Sequence, residues 1–250
     1  MTAGMIDISR FTLPSCQQMA YRHLPGADPT VVFLPGYMSD MAGGKAQAVM
    51  EWAQQQGRAC LLLDYTGCGQ SDGDFGDGRL SKWRDEVVAL IDHLGIEAVQ
   101  LVGSSMGGWL MLLIAESLGE RAKALVGIAP APDFTEWGFS QSQRIELASG
   151  RTIYEDNPYG PEPTPTHAGF FSDGEKHRRL GGEIAFDGPV RLLHGQADAD
   201  VPWDISLRLA RALRSGDVQV HLIKDGDHRL SRPGDIALLL RELANIDGQC

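Results

Sequence analysis

AVQLVGSSMGGWLMLLIAESL, residues 98–118, runs from an apolar β-like stretch through a glycine-rich turn into an apolar helix-forming stretch. The turn holds Gly103, Ser105 and Gly107 in a G-x-S-x-G pattern. Strand, turn and helix in that order are the context in which this pattern presents a nucleophilic serine. A serine on so sharp a turn has crowded neighbours, so Gly103 and Gly107 must lack side chains for the turn to close. The helix that follows directs free N–H groups toward the negative oxygen formed when a serine attacks a carbonyl. A dinucleotide fingerprint needs G-x-G-x-x-G and a Walker loop needs G-K-[ST]; neither occurs here. Ser105 is the candidate nucleophile, and the Met106 N–H is a candidate oxyanion donor.

The surrounding pattern fits one fold class. Thr30–Leu34, Ala59–Asp64, Ala98–Gly103, Ala124–Ala129, Pro189–His194 and Val218–Ile223 are short continuous apolar runs bounded by Gly, Pro or Asp. Such runs read as strands covered on both faces. Helices are expected near Gly44–Gln56, Leu80–Leu94, Met106–Leu118, Trp203–Arg214 and Asp235–Ala244. In the second, Leu80, Trp83, Val87, Leu90, Ile91 and Leu94 fall on one face. This alternation implies right-handed crossovers and a mostly parallel α/β sheet flanked by helices. Ile6–Leu13 and Met19–Leu24 suggest a leading antiparallel hairpin.

From Asp133 to Asp187 the strands disappear and Pro, Gly and aromatic residues take over. So long a stretch is no simple connection in a compact domain. The expected organisation is a core of residues 1–132 and 188–250 with a small cap, 133–187, inserted between two strands. Helices near Gln141–Ala148 and Asp173–Leu180 are expected within it. Its aromatics Phe134, Trp137, Phe139, Tyr154, Phe170 and Phe171 divide between lining an acyl pocket and forming the cap's own core.

A serine hydroxyl needs a base to take its proton. Of seven histidines, His228 stands in a Gly/Asp-rich loop directly after the run Val218–Ile223, suited to present its ring over the sheet edge. His177 and His194 are the other candidates; His194 reads better as holding the turn that follows its strand. A base in turn needs an acid to fix its tautomer. Asp198 lies in the loop after Pro189–His194, at the carboxyl end of a strand, and Asp200 two residues on is also in reach. Leu34-Pro35-Gly36-Tyr37-Met38 follows the strand Thr30–Leu34, where a second oxyanion donor belongs. Gly36 allows a turn that aims the Tyr37 N–H at the site. The Gly-rich turn Asp64–Ser71 reads as scaffold, and Cys68 within it as a packing residue.

Composition removes other classes. The chain has 250 residues, 43% hydrophobic, and 22 Lys and Arg against 33 Asp and Glu, a net charge of −11. An acidic chain without a basic cluster is no nucleic-acid binder and is ill-suited to an anionic membrane surface. Trp109–Ala115, the most apolar run, is far short of the ~20 residues that span a bilayer, so no stable membrane insertion is expected. Residues 1–16 carry no basic segment followed by an apolar run, so no signal peptide is read there. Cys16, Cys60, Cys68 and Cys250 show no metal-ligand spacing and read as reduced thiols. The expectation is a cytoplasmic monomer or weak dimer.

Five segments together carry a resemblance: LPGYMSDMAGGKA (34–46), LLDYTGCGQSDG (62–73), LVGSSMGGWLM (101–111), RLLHGQADADVPW (191–203) and DGDHRLSRPGDI (225–236). From about Met19 to Leu243 the chain resembles the α/β-hydrolase superfamily, and within it the abhydrolase-domain palmitoyl-protein thioesterase and acyl-glucuronide esterase subgroup. The resemblance implies Ser105 as nucleophile, His228 as base and Asp198, in preference to Asp200, as acid. It implies hydrolysis of small-molecule carboxylic esters or acyl thioesters, or of acylated proteins, without metal or cofactor. Lactonase or peptidase activity on the same triad, and a non-catalytic ligand receptor, are the alternatives. Dehalogenases of this fold need a carboxylate where Ser105 stands. No transit peptide precedes the matching segment, so a mitochondrial address is not expected to carry over, and residues 133–187 do not match.

Overall fold

The structure is a computed structural model that describes residues 6–157 and 160–247. The main sheet is built from β1 (Ser9–Thr12), β2 (Gln18–Leu24), β3 (Ala27–Leu34), β4 (Arg58–Leu63), β5 (Val99–Ser104) and β6 (Ala122–Ile128). Between them run α1 (Gly44–Gln56), α2 (Leu80–His93) and α3 (Met106–Leu118). Then come α4 (Phe134–Trp137), α5 (Gln141–Ala148), a small hairpin of β7 (Ile153–Glu155) and β8 (Thr164–Thr166), and α6 (Ala168–Lys176). The chain returns to the sheet with β9 (Val190–Gly195), α7 (Asp204–Ala212), β10 (Val218–Ile223) and α8 (Pro233–Asp247).

The eight strands of the sheet are ordered β1-β2-β4-β3-β5-β6-β9-β10. β1 pairs antiparallel with β2 and β2 with β4, while every pairing from β4 to β10 is parallel. The expected hairpin and parallel sheet are both present. Each strand alternates its side chains between two apolar layers. One layer joins Val31, Phe33, Leu62 and Val102 to α1 and α8; the other joins Val32, Leu34, Leu61 and Leu101 to α2, α3 and α7. α3 is buried nearly all round, which explains why its sequence has no polar face. Strand order reverses between β3 and β5, and the carboxyl ends of those two strands open the crevice in which sites of such sheets form.

Residues 133–187 differ from expectation in two respects. A short antiparallel β7–β8 ladder is present, where the Pro-rich sequence suggested no strand. The second helix covers Ala168–Lys176 rather than 173–180. Two glycines disfavour a helix there, and Gly169 packs against the tip of the Arg79 side chain, which a Cβ at that position would displace. Residues 178–180 are held instead by the buried Asp133 carboxylate, which accepts the N–H groups of Arg179 and Leu180 at 2.8 and 2.7 Å. The aromatics sort as well. Phe170 and Phe171 are buried in the core, whereas Tyr154 is exposed. Cys16, Cys60 and Cys68 are free thiols, and Cys250 lies outside the described residues. Among the described residues no helix is long and apolar enough to cross a membrane.

Candidate active site

Ser105 sits between β5 and α3 with φ +54° and ψ −120°, a conformation that costs a non-glycine residue about 1–3 kcal/mol. Three backbone hydrogen bonds hold it there. The Ser105 N–H donates to Ile128 O at 2.9 Å, and its carbonyl accepts from Gly108 and Ala131 at 2.8 and 3.0 Å. The flanking glycines are needed for contact. A Cβ on Gly103 would lie 2.4 Å from Gly107 O, and one on Gly107 would lie 2.1 Å from Leu34 O.

His228 comes from the loop after β10 and Asp198 from the loop after β9. His228 Nε2 lies 3.0 Å from Ser105 Oγ, and His228 Nδ1 lies 2.9 Å from Asp198 Oδ2. A carboxylate can only accept, so Nδ1 carries the proton and bare Nε2 faces the serine hydroxyl. The other Asp198 oxygen accepts the N–H groups of Asp200 and Val201, both at 2.9 Å. Asp200 donates its backbone N–H to Asp198 and stands at the cavity, while the Asp198 side chain is fully buried beside His228. Burial alone would raise the Asp198 pKa. Hydrogen bonds from His194, His228 and the Val201 N–H outweigh it and hold the carboxyl well below its ordinary range.

His194 is closer to this arrangement than its sequence position suggested. It is fully buried, with Nε2 3.1 Å from Val201 O and 3.2 Å from Asp198 Oδ2, and Nδ1 2.7 Å from Ser206 Oγ. The carbonyl fixes the proton on Nε2, so His194 steadies the Asp198 loop and has no nitrogen left for Ser105. His177 ends α6, with Nε2 3.5 Å from Asp173. The i,i+4 spacing of His194 and Asp198 was the available sequence signal.

Tyr37 and Met106 line the same cavity as Ser105 and His228. Met106 is the first residue of α3, so its N–H has no partner within the helix. The cavity measures about 680 Å³ and is also walled by Phe134, Trp137 and Phe139. Lys45 reaches it too, donating from Nζ to the carbonyl of Arg229, the residue after His228. Sequence reasoning missed Lys45, because nothing local marks a lysine in the first turn of a helix as part of a site. The Asp64–Ser71 turn is scaffold. Asp64 accepts the Met41 and Gln70 N–H groups at 2.7 and 2.8 Å, and burial pushes the Cys68 thiol up to about 12.

Donor atoms of Asp198, Asp200 and His228 lie within 4.8 Å of one another, the spacing of a metal site. However, His228 Nδ1 and Asp198 Oδ2 are bonded to each other, and Asp198 Oδ1 is held by two N–H groups. What the arrangement offers is a polarised hydroxyl beside a cavity of mixed lining, with an aromatic wall of Phe134, Trp137 and Phe139.

The α/β-hydrolase fold family matches residues 29–151, a span that includes Ser105. Human mitochondrial palmitoyl-protein thioesterase ABHD10 is 38% identical over 240 residues, covering 94% of this chain and 78% of that protein. Among solved structures, a hydrolase from Agrobacterium vitis S4 superposes with a TM-score of 0.91 at 37% identity, covering 97% of this chain and 99% of that one. Mouse ABHD10 gives a TM-score of 0.90 at 35% identity, again covering 97% and 99%. The ABHD10 relatives are designated mitochondrial, which differs from the cytoplasmic address expected from the sequence. Sheet order, elbow and kinship agree, and the chain belongs to the α/β-hydrolase family and is a hydrolase.

Proposed function

We propose that the chain cleaves carboxylic esters or acyl thioesters through a covalent acyl-Ser105 intermediate. The observation that carries this reading is the unbroken chain from Ser105 Oγ through His228 to Asp198, with links of 3.0 and 2.9 Å. As Oγ attacks the acyl carbon, its proton passes to His228 Nε2, and Asp198 stabilises the imidazolium. The tetrahedral oxyanion faces the N–H groups of Tyr37 and Met106, each such donor being worth about 3–4 kcal/mol in the transition state. Collapse breaks the C–O or C–S bond, and the imidazolium returns the proton to the departing alcohol or thiol. Water, giving its proton to His228, then releases the acid and restores Ser105.

Residues 133–187 serve as the cap, with 1–132 and 188–250 as the catalytic core. Phe134, Trp137 and Phe139 give the cavity an apolar wall for an acyl chain. The ABHD10 relatives are named palmitoyl-protein thioesterases, which makes a long-chain acyl thioester, free or on a protein, the first substrate to test.

The test pairs fluorophosphonate labelling with turnover of a long-chain acyl thioester and a matched short-chain oxyester, using Ser105→Ala as the blank. Labelling of Ser105 with thioester turnover lost in the variant is expected. Labelling without turnover of either substrate would point to a lactone, a peptide or a ligand held without hydrolysis. No labelling at all would end the reading.

A further inference from the structure

Tyr37 has a half-buried side chain as well as the N–H assigned to the oxyanion. The main chain before it runs against the elbow: a Cβ on Gly36 would stand 3.3 Å from both Ser105 Cβ and Ser104 O. A Ser39 N–H to Gly36 O bond of 3.1 Å closes the turn, and Met38 lies in the left-handed region at φ +54°. The Tyr37 ring meets Phe75, Phe134 and Phe170 edge-on, with centroids 4.9, 6.1 and 5.1 Å away. Its hydroxyl donates to Pro165 O at 2.9 Å. Burial raises the phenol above its ordinary range, so it remains a protonated donor at any working pH.

Phe75 belongs to the core, but Phe134, Phe170 and Pro165 all belong to residues 133–187. Phe134 also walls the cavity and stacks on Phe170 at 5.6 Å. An acyl chain lying against Phe134 therefore touches the same aromatic cluster that fixes Tyr37. The ring and the N–H hang from one Cα, and because three aromatic neighbours and the hydroxyl bond clamp the ring, a shift of the cluster that χ1 and χ2 do not absorb is passed to the donor. Such donors work only at about 2.7–3.1 Å from the oxyanion, and a 1 Å misplacement can cost about 10²-fold in rate.

We propose that the Tyr37 side chain is a positioning residue that couples the seating of an acyl chain beneath residues 133–187 to the placement of its own N–H at the oxyanion. Acyl length then raises turnover and not merely binding. The inference rests on the reading of Ser105 as nucleophile given above.

The test measures kcat and KM for acetyl, octanoyl and palmitoyl thioesters of one thiol in the wild type, Tyr37→Phe and Phe170→Leu. Tyr37→Phe keeps the ring contacts and removes the hydroxyl, with its bonds to Pro165 O and the Thr166 side chain, while Phe170→Leu loosens the same ring from the other side. In the wild type, kcat is expected to rise about tenfold or more from acetyl to palmitoyl. Both variants should abolish most of that rise, with KM at each length within about threefold of wild type. A wild-type kcat indifferent to length would overturn the proposal. So would an equal loss of kcat at every length, or a change confined to KM. Fluorophosphonate labelling in parallel separates the two readings: failure to label the wild type sinks the nucleophile assignment, whereas intact labelling with parallel kcat profiles sinks the coupling alone.

Discussion

One carboxylate at the end of β9 gathers two loops. Asp198 takes its own loop's N–H groups on Oδ1 and the proton of His228 on Oδ2, with His194 3.2 Å from the same oxygen. Asp198→Asn would leave the imidazole without a carboxylate to fix its tautomer, and kcat is expected to fall about 10⁴-fold with KM little changed. Steady-state kinetics on a single ester checks this. The same residue contributes to stability with a defined sign. Its folded-state pKa is depressed, so its contribution is complete above the unfolded value near ~4 and drains away as pH falls toward the folded value. The Tm difference between wild type and Asp198→Asn should widen from about pH 2 to about pH 5 and stay level above that. A difference that widened only above neutrality would contradict the assignment.

At the scale of elements, the elbow depends on how closely α3 approaches β3. A methyl group on Gly107 would meet two main-chain carbonyls, Leu34 O at 2.1 Å and Pro35 O at 2.5 Å, neither of which is a flexible tip. Gly107→Ala should cost about 3 kcal/mol in urea unfolding and displace the Tyr37 loop enough to lower kcat about 10²-fold. Wild-type stability in that variant would contradict the packing described. The same closeness explains what could be read in advance. Parallel strands covered on both faces leave continuous apolar runs, so the sheet was visible in the sequence. Ser105 follows such a run directly and Asp198 and His228 stand in the short loops after two others, so they were visible with it. α6 was misplaced because two of its residues, Gly169 and Gly174, are weak helix formers and hide it from local propensity. β7 and β8 escaped because a three-residue ladder containing Pro165 has no period to detect. The bond from Tyr37 to Pro165 spans 128 residues and leaves no local trace.

Across the whole molecule, a net charge of −11 sets a repulsive background for anionic substrates. The kcat/KM for an acyl thioester with a negatively charged thiol should rise about two- to fivefold between low and physiological salt, while that for a neutral thiol stays level. A fall with salt would mean that the cations at the cavity, Lys45 and Arg229, dominate what the substrate meets. The sheet brings three distant loops to one crevice, and residues 133–187 add the apolar wall above it. Everything proposed for this assembly depends on Ser105 becoming acylated. The decisive measurement is rapid-quench mass spectrometry during turnover of a palmitoyl thioester. The account predicts one palmitoyl adduct, on the peptide that contains Ser105, forming and decaying at rates that match kcat, and absent from Ser105→Ala. Full turnover with no adduct at Ser105, or turnover that survives in Ser105→Ala, would contradict it.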